Sequence, residues 1–236
     1  MRTANSASLF STGRPAEGER HSAMDVRGFG MENKEHSEHA SRRAERRRTT
    51  GESDVTVLVD LDGDGRIDVS TGVPFFDHMV SQFAKHSGID LSVTAKGDLE
   101  VDAHHTVEDT GIALGEAVAE AFGPKTGICR FASVSVPLDE ALVDVALDVS
   151  GRSFLHYEID FAPDTASLGS PPFDPQLAEE FWRAFVGNAA VTLHVSCRYG
   201  KNTHHVLEAS FKAVGRAFRD AKRIEGSEIP STKGVL

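Results

Sequence analysis

The alternation of apolar and polar residues predicts that most of this chain folds into strands and helices. Residues 54–60 alternate as in a half-buried strand, residues 62–65 (Asp-Gly-Asp-Gly) are typical of a tight turn, and residues 67–70 resume the alternation. This pattern predicts a β-hairpin. The elements that follow complete a ββαβα unit, with a helix over about 74–86, a strand over 91–95 and a helix over about 106–122.

The second half of the chain repeats this order and adds one strand. A segment over residues 162–175, which contains four prolines, interrupts the pattern and is predicted to be an inserted loop. The predicted elements are strands near 131–136, 141–148 and 153–161, a helix over 176–187, a strand over 191–197 and a helix over 203–224.

The N-terminal residues lack any such periodicity. They are rich in Ser, Gly, Glu and Arg and poor in branched aliphatic residues, so they cannot bury enough apolar surface to offset the entropy lost on ordering. We expect residues 1–42 to form a disordered extension. Residues 43–236 are expected to form one domain with an internal repeat, whose halves span about 43–126 and 127–236.

The location predicted for the chain is the cytoplasm. The N-terminal segment has no apolar core of a secretory signal, and its acidic residues argue against a transit peptide. No stretch approaches the roughly 18 to 20 apolar residues of a membrane-spanning helix. Cys129 and Cys197 have neither metal-site nor redox-motif spacing, so cysteine chemistry is not expected.

The charge distribution argues against a nucleic-acid partner. The formal net charge is −11, divided into +3 over residues 1–48 and −14 over residues 49–236. An acidic body does not neutralise phosphates, which requires clustered Lys and Arg. The basic run over residues 42–48 is interpreted as a solvated lead-in to the first strand.

Histidine is the unusual component, with 11 residues against two tyrosines and one tryptophan. The segment DAHHTVE at 102–108 is echoed by NTHHVLE at 202–208, one hundred positions later, and both segments begin a predicted helix. One His-His pair could be a helix cap or core filler. Two copies at equivalent places in a duplicated unit make that interpretation improbable.

The two His-His pairs predict metal ligands. Glu108 lies four residues after His104, on the same helical face, whereas adjacent histidines diverge by about 100° around a helix. Each pair is therefore expected to serve two different ions. His78 and Glu180, from the preceding helices, are the natural additional ligands. His194 is either a further ligand or, as the preferred interpretation, a residue that orients one. Nitrogen and oxygen donors favour Mn, Fe, Zn, Co or Ni.

Six short segments match the motifs of a known enzyme family. They are TGVPFFDHM at 71–79, HHTVED at 104–109, PLDEAL at 137–142, SGR at 150–152, NTHHVLEASFKA at 202–213 and IPSTKG at 229–234. Together they resemble imidazoleglycerol-phosphate dehydratase, and the resemblance extends from about Arg43 to Leu236.

The resemblance implies Mn-dependent dehydration of imidazole glycerol phosphate to imidazole acetol phosphate in histidine biosynthesis, with two manganese ions per active site. It implies an α+β fold of the ribosomal S5 domain 2-like type, in which helices lie between two four-stranded sheets. It further implies a homo-oligomer, a shell of twenty-four subunits with sites between subunits. The implied metal ligands are His78, His104, His105, Glu108, Glu180, His204, His205 and Glu208.

The resemblance also implies residues that bind and convert the substrate. Glu52 matches the family's acid/base glutamate, and Glu108 and Glu208 are included among the catalytic residues. Ser53 stands where threonine is usual, and Glu180 where histidine is common, so direct or water-mediated metal binding by Glu180 stays open. The implied substrate-binding residues are Glu52, Gln82, Arg130, Arg152, Lys212, Ser231 and Lys233.

Two other functions are compatible with the duplicated histidines. A dinuclear hydrolase of phosphate esters would use the same ligands but would release inorganic phosphate. A metal-storage or metal-stabilised shell protein would use the histidines only to cross-link subunits. The storage function explains the repeat but leaves the phosphate-binding positions Arg130, Arg152 and Lys233 without a role.

Overall fold

A computed structural model describes residues 41–236, and residues 1–40 lie outside the described part of the chain. The predicted extension therefore falls almost wholly outside the described residues. At its C-terminal end, Arg42 contacts the domain: its guanidinium donates to the carbonyl oxygen of Lys222 at 2.7 Å and forms an ion pair with Asp62.

The described residues form eight strands and four helices. Both halves follow the same order, βββαβα. The elements are β1 (Arg43–Thr49), β2 (Ser53–Asp60), β3 (Ile67–Ser70), α1 (Pro74–Ser87), β4 (Asp90–Gly97), α2 (His104–Phe122), β5 (Phe131–Leu138), β6 (Ala141–Asp148), β7 (Phe154–Glu158), α3 (Leu177–Ala189), β8 (Thr192–Tyr199) and α4 (Thr203–Ala221).

The two sheets have the same topology. Sheet 1 has the strand order β1-β2-β4-β3 and sheet 2 the order β5-β6-β8-β7. In each sheet the first three strands of this order pair antiparallel, and the fourth strand, β3 or β7, pairs in parallel with its neighbour. Identical strand order in two consecutive segments is what a duplication produces, and the predicted α+β fold with a repeated unit is confirmed.

The predicted hairpin of residues 54–60 with 67–70 is wrong. β2 pairs with β1 on one side and β4 on the other, so β3 is added at the far edge of β4 in parallel. β1 is the basic run that the sequence pattern assigned to a solvated lead-in. Its arginines form ion pairs with carboxylates, including Arg43 with Asp60 and Arg47 with Asp54, so the charges are compatible with a strand.

The helices lie between the sheets and carry the core. α2 packs on sheet 1 and against α3, while α4 packs on sheet 2 and against α1. Glycines allow the close approach: a Cβ at Gly111 would lie 2.7 Å from the Phe181 carbonyl oxygen, and one at Gly215 would lie 2.6 Å from that of Phe83. Trp182 is fully buried between the helices and makes edge-on or tilted ring contacts with phenylalanines of α1, α3 and α4.

The N-termini of α2 and α4 present the two His-His pairs. The Asn202 side chain accepts from the backbone N–H of His204 at 2.9 Å, and the Asp102 side chain accepts from that of His104 at 2.7 Å. α2 thus begins two residues earlier than predicted. Over residues 41–236, none of the helices is both long enough and apolar enough to span a membrane.

Candidate active site

Three of the predicted metal ligands come together where α1 lies beside α4. Glu208 Oε2 lies 2.9 Å from His204 Nε2 and 3.2 Å from His78 Nε2, and the ligand atoms of all three side chains lie within 4.8 Å of one another. Glu208 follows His204 by four residues, which places both on one helical face. Two imidazoles and a carboxylate are donors that suit a divalent ion such as Mn²⁺ or Zn²⁺.

The Glu208 carboxylate is the electrostatic centre of this cluster. Burial alone would raise its pKa, but hydrogen bonds from Lys212 and the two histidines outweigh burial and lower that pKa to about 2. Lys212 Nζ lies 2.6 Å from Glu208 Oε1. The ring of His204 is supported by an edge contact with Phe75 at 5.2 Å between centroids. Gln82 lies one turn along α1 from the cluster's first histidine.

The predicted ligands on the other helix pair, α2 and α3, lie further apart than those of the α1/α4 cluster. Glu180 lies on α3, which packs against α2, the helix that carries His104 and Glu108. The Glu180 carboxylate lies 3.8 Å from the Arg183 guanidinium. Within residues 41–236, no three of the remaining predicted ligands approach one another as closely as the α1/α4 cluster. One chain therefore does not bring all eight predicted ligands into a single site.

The second histidine of the first pair points away from its neighbour. The rings of His104 and His105 lie 6.1 Å apart at 86° to each other. His105 Nδ1 lies 3.1 Å from Asp98 Oδ2, and its Nε2 lies 3.7 Å from Glu52 Oε1. The hydrogen bond with Asp98 raises the pKa of His105. The predicted acid/base residue Glu52 is thus adjacent to a predicted metal ligand.

The second pair repeats this arrangement with different partners. The rings of His204 and His205 lie 6.3 Å apart at 80°. His205 Nδ1 lies 2.8 Å from Glu140 Oε2, and its Nε2 lies 3.9 Å from Asp139 Oδ2. The hydrogen bond from His205, followed by one from the Asn202 backbone, lowers the pKa of Glu140 to about 2.

A buried carboxylate anchors the loop that carries Glu52. Asp109, only 5% exposed, accepts hydrogen bonds from Ser53 Oγ at 2.5 Å, Arg48 Nε at 2.6 Å and Thr50 Oγ1 at 3.4 Å. These bonds fix both ends of the segment that connects β1 and β2. The hydroxyl that Ser53 shares with threonine therefore has a structural role, and Asp109 sets where Glu52 stands.

The Asp109→Asn variant is expected to be less stable by about 1–3 kcal/mol, because a buried acceptor of charged and hydroxyl donors loses its charge. The urea midpoint of unfolding, measured at fixed protein concentration, should fall. Asp54→Asn is the matched control on the same strand pair: its ion pair with Arg47 is exposed to solvent, and the midpoint should stay unchanged. Equal midpoints for Asp109→Asn and the unmodified protein would exclude the anchor.

Four of the predicted substrate-binding residues, Arg130, Arg152, Ser231 and Lys233, meet in one pocket. Arg130 is partly engaged already: its guanidinium forms a bidentate pair with Asp148, at 2.8 and 3.2 Å, and donates to the Pro230 carbonyl oxygen at 2.7 Å. This last bond holds the C-terminal segment beside the arginine. The pocket is lined by Arg130, Arg152, Ser231, Thr232, Lys233, Val235 and Leu236.

The sequence reasoning missed three carboxylates and misplaced one histidine. Asp98 and Glu140 contact the predicted ligands His105 and His205, and Asp109 anchors the loop of the predicted catalytic residue Glu52. Asp109 and Glu140 lie within segments that carried the family resemblance. His194 lies exposed on sheet 2, with its ring 5.5 Å from that of Phe154. It does not contact the histidine cluster, because its neighbours on β8 are the residues that face the helices.

Comparisons with known proteins agree with this arrangement. The family profile described as imidazoleglycerol-phosphate dehydratase matches residues 71–218. A protein of that name from Methanopyrus kandleri is 52% identical over 195 residues, covering 83% of this chain and 96% of the relative. One from Acetivibrio thermocellus is 53% identical over 199 residues, covering 83% and 99%.

Solved structures of the same family have the same fold. The imidazoleglycerol-phosphate dehydratase of Staphylococcus aureus superposes with a TM-score of 0.68 at 35% identity, covering 77% of this chain and 99% of that one. The Pyrococcus furiosus protein, in complex with (S)-C348, gives 0.67 at 35% identity, covering 80% and 99%. Profile, relatives and fold together show that the chain belongs to the imidazoleglycerol-phosphate dehydratase family, and hence to the hydro-lyases.

Proposed function

We propose that this chain catalyses the Mn-dependent dehydration of imidazole glycerol phosphate to imidazole acetol phosphate and water, a step of histidine biosynthesis in the cytoplasm. The observation that carries the proposal is the cluster of His78, His204 and Glu208, built from helices of both halves of the repeat. Family membership supplies the reaction class. The cluster and the cationic C-terminal pocket match an imidazole at one end of the substrate and a phosphate at the other.

The proposed cofactor is two manganese ions per site. The α1/α4 cluster would hold one ion, and the donor set of imidazole and carboxylate fits manganese. The other predicted ligands are His104, His105, Glu108, Glu180 and His205. Because the eight ligands do not gather in one chain, a second copy is proposed to complete the site, as expected for a twenty-four-subunit shell with sites between subunits.

Dehydration breaks a C–H bond and a neighbouring C–OH bond, releases water and leaves an enol that becomes the ketone. When bound, the ions would act as Lewis acids and orient the imidazole ring. Glu52 is proposed to carry the proton. Its carboxylate is 55% exposed, and lies 3.7 Å from His105 Nε2, so it can reach a molecule bound beside that histidine.

The phosphate end of the substrate is assigned to Arg130, Arg152, Ser231 and Lys233. Guanidinium groups bind a phosphate through paired N–H donors and lysine binds it as a point charge. Ser231 and Lys233 are held together by a hydrogen bond from the Lys233 backbone to Ser231 Oγ at 3.2 Å.

Lys233→Gln is expected to raise KM by about 10- to 100-fold with little change in kcat, since a hydrogen bond to a charged group is worth about 1.5–3 kcal/mol and is made equally before and during reaction. Steady-state kinetics measure both constants. Lys85→Gln, at an exposed lysine on α1 outside the pocket, should leave KM unchanged. A fall in kcat at constant KM would contradict the assignment.

Metal and assembly are expected to be coupled, because ligands drawn from two subunits link binding to association. Removal of metal with a chelator should loosen or dissociate the shell, and Mn²⁺ should restore it. Small-angle scattering follows the particle size. A particle of unchanged size after complete metal removal would show that the subunits associate independently of the ions.

Product analysis separates this function from its alternatives. Incubation of the manganese-loaded full chain with imidazole glycerol phosphate should give a ketone that retains its phosphate. Release of inorganic phosphate instead would identify a dinuclear phosphate-ester hydrolase. A manganese-loaded protein that leaves the substrate unchanged would favour a metal-storage shell.

A further inference from the structure

The second histidine of each pair is oriented by a carboxylate that lies outside the predicted ligand set. Glu140 Oε2 lies 2.8 Å from Nδ1 of His205, and Asp98 Oδ2 lies 3.1 Å from Nδ1 of His105. In both histidines the same ring nitrogen faces the carboxylate. Within residues 41–236, the closest carboxylates to the opposite nitrogen, Nε2, lie at 3.7 Å in His105 and 3.9 Å in His205.

Glu140 is itself fixed by the backbone. Its Oε1 accepts from the N–H groups of Asn202 at 2.8 Å and Lys201 at 3.2 Å, at the residues that lead into α4. The Asn202 side chain in turn caps the N–H groups of His204 and His205. The carboxylate therefore connects the turn between β5 and β6 to the first turn of α4. With Oε1 bound to the backbone, Oε2 faces Nδ1 of His205.

A carboxylate held in this way can only accept hydrogen bonds. The ring nitrogen that faces it must then carry the proton, and the other nitrogen keeps its lone pair. A neutral imidazole binds a metal ion through that lone pair, and the orienting partner on the other nitrogen commonly sets metal affinity. The geometry at His205 and His105 satisfies these requirements in each half of the repeat.

We propose that Glu140 and Asp98 are positioning residues that hold His205 and His105 as Nδ1–H tautomers and thereby keep Nε2 of each free to bind a metal ion. This inference rests on the metal site of the proposed function. Glu140 and Asp98 would support the metal site without binding the ion themselves. The proposal also assigns Nε2 as the nitrogen through which His105 and His205 bind.

The repeat explains why the two halves use different carboxylates. Glu52 precedes β2 as Glu140 precedes β6, so they occupy equivalent positions. Three donors engage Glu140, whereas Glu52 keeps an exposed carboxylate and Asp98 orients the histidine instead. One copy of the duplicated glutamate thus positions a ligand, and the other stays free for proton transfer.

Glu140→Gln tests the proposal. The glutamine carbonyl oxygen can still accept from the Lys201 and Asn202 backbone, but its NH₂ group then faces Nδ1 and favours the tautomer with the proton on Nε2. Calorimetric titration of the metal-stripped full chain with Mn²⁺ should show one binding equivalent weakened by about 10- to 100-fold. The urea midpoint of unfolding should remain close to that of the unmodified protein.

Asp139→Asn is the matched control. Asp139 is the neighbouring carboxylate of the same turn, lies 3.9 Å from His205 Nε2, and has a φ of 47° that asparagine tolerates. Because this substitution leaves the Nδ1 partner of His205 in place and removes only a charge near Nε2, Mn²⁺ affinity should fall by less than the roughly 10- to 100-fold expected of Glu140→Gln. Asp98→Asn applies the same test at His105, and provides it independently if Glu140→Gln fails to fold.

The outcomes separate the inference from the proposed function. An unmodified chain that binds no Mn²⁺ would overturn the metal site itself. An unmodified chain that binds Mn²⁺, with Glu140→Gln and Asp98→Asn equal to it in affinity, would overturn the positioning role alone. Nitrogen-15 shifts of labelled histidine rings in the metal-stripped protein give a second readout: the proposal requires the Nδ1–H tautomer at His205, and its loss in Glu140→Gln.

Discussion

Replacement of Glu52 by glutamine is expected to lower kcat by about 10²- to 10⁴-fold, the contribution typical of a group that transfers a proton in the rate-determining step. Glutamine has the size of glutamate but cannot take up a proton at neutral pH. Glu52 is held in place through the bonds of its loop to Asp109 rather than through its own carboxylate. The substitution should therefore leave the fold, the shell and Mn²⁺ binding intact.

The measurement is the rate of imidazole acetol phosphate formation by the manganese-loaded variant, together with its bound metal and particle size. Glu45→Gln is the matched control, because Glu45 is an exposed glutamate on the adjacent strand β1. It should retain full activity. Unchanged turnover in Glu52→Gln would remove Glu52 from the chemistry.

Replacement of Glu208 by glutamine is expected to weaken Mn²⁺ binding by at least about 10- to 100-fold and to abolish activity at limiting metal, since even residues that only orient a ligand have effects of that size. Glu208 bonds His78, His204 and Lys212 at once. Without its charge, the two imidazoles lose the carboxylate of their common site, and Lys212 lacks its nearest counter-ion.

Calorimetric titration with Mn²⁺ and metal analysis of the purified variant measure this effect. Asp220→Asn, three turns further along the same helix, is the control and should bind Mn²⁺ as the unmodified chain does. Retention of unmodified Mn²⁺ affinity by Glu208→Gln would exclude the α1/α4 cluster as a metal site.

The secondary structure could largely be read from the sequence, because helices and strands that pack on one core keep a regular apolar period. α1 was predicted to within one residue and β6 in full. β1 was missed because two of its three inward positions are arginines, whose charge hides the strand pattern. After folding, the inward Arg46 and Arg48 pair with Glu120 and Asp109, and the outward Arg43 and Arg47 pair with Asp60 and Asp54. The hairpin was predicted wrongly because a turn sequence does not show which strands pair: both edges of β2 are taken by β1 and β4, so β3 pairs with β4 instead.

The candidate site also contains residues that the sequence predicts and residues that it does not. The duplicated histidine pairs and the glutamate four residues after each first histidine are local patterns, and the structure gathers His78, His204 and Glu208 as three of these ligands. Asp98 was not predicted although it lies only seven residues before His105, because the loop between β4 and α2 has no regular period to mark it. Glu140 was not predicted because it contacts His205 from the turn between β5 and β6, 65 residues away, and only the folded chain brings the two together.

The most direct test is the reaction of the metal-stripped full chain with imidazole glycerol phosphate before and after stepwise addition of Mn²⁺, with product, inorganic phosphate and bound metal measured together. The predicted result is imidazole acetol phosphate that forms only after Mn²⁺ is added and reaches its maximal rate at two ions per chain, without release of phosphate. Equal product formation in the stripped protein, or release of inorganic phosphate in place of the ketone, would contradict it.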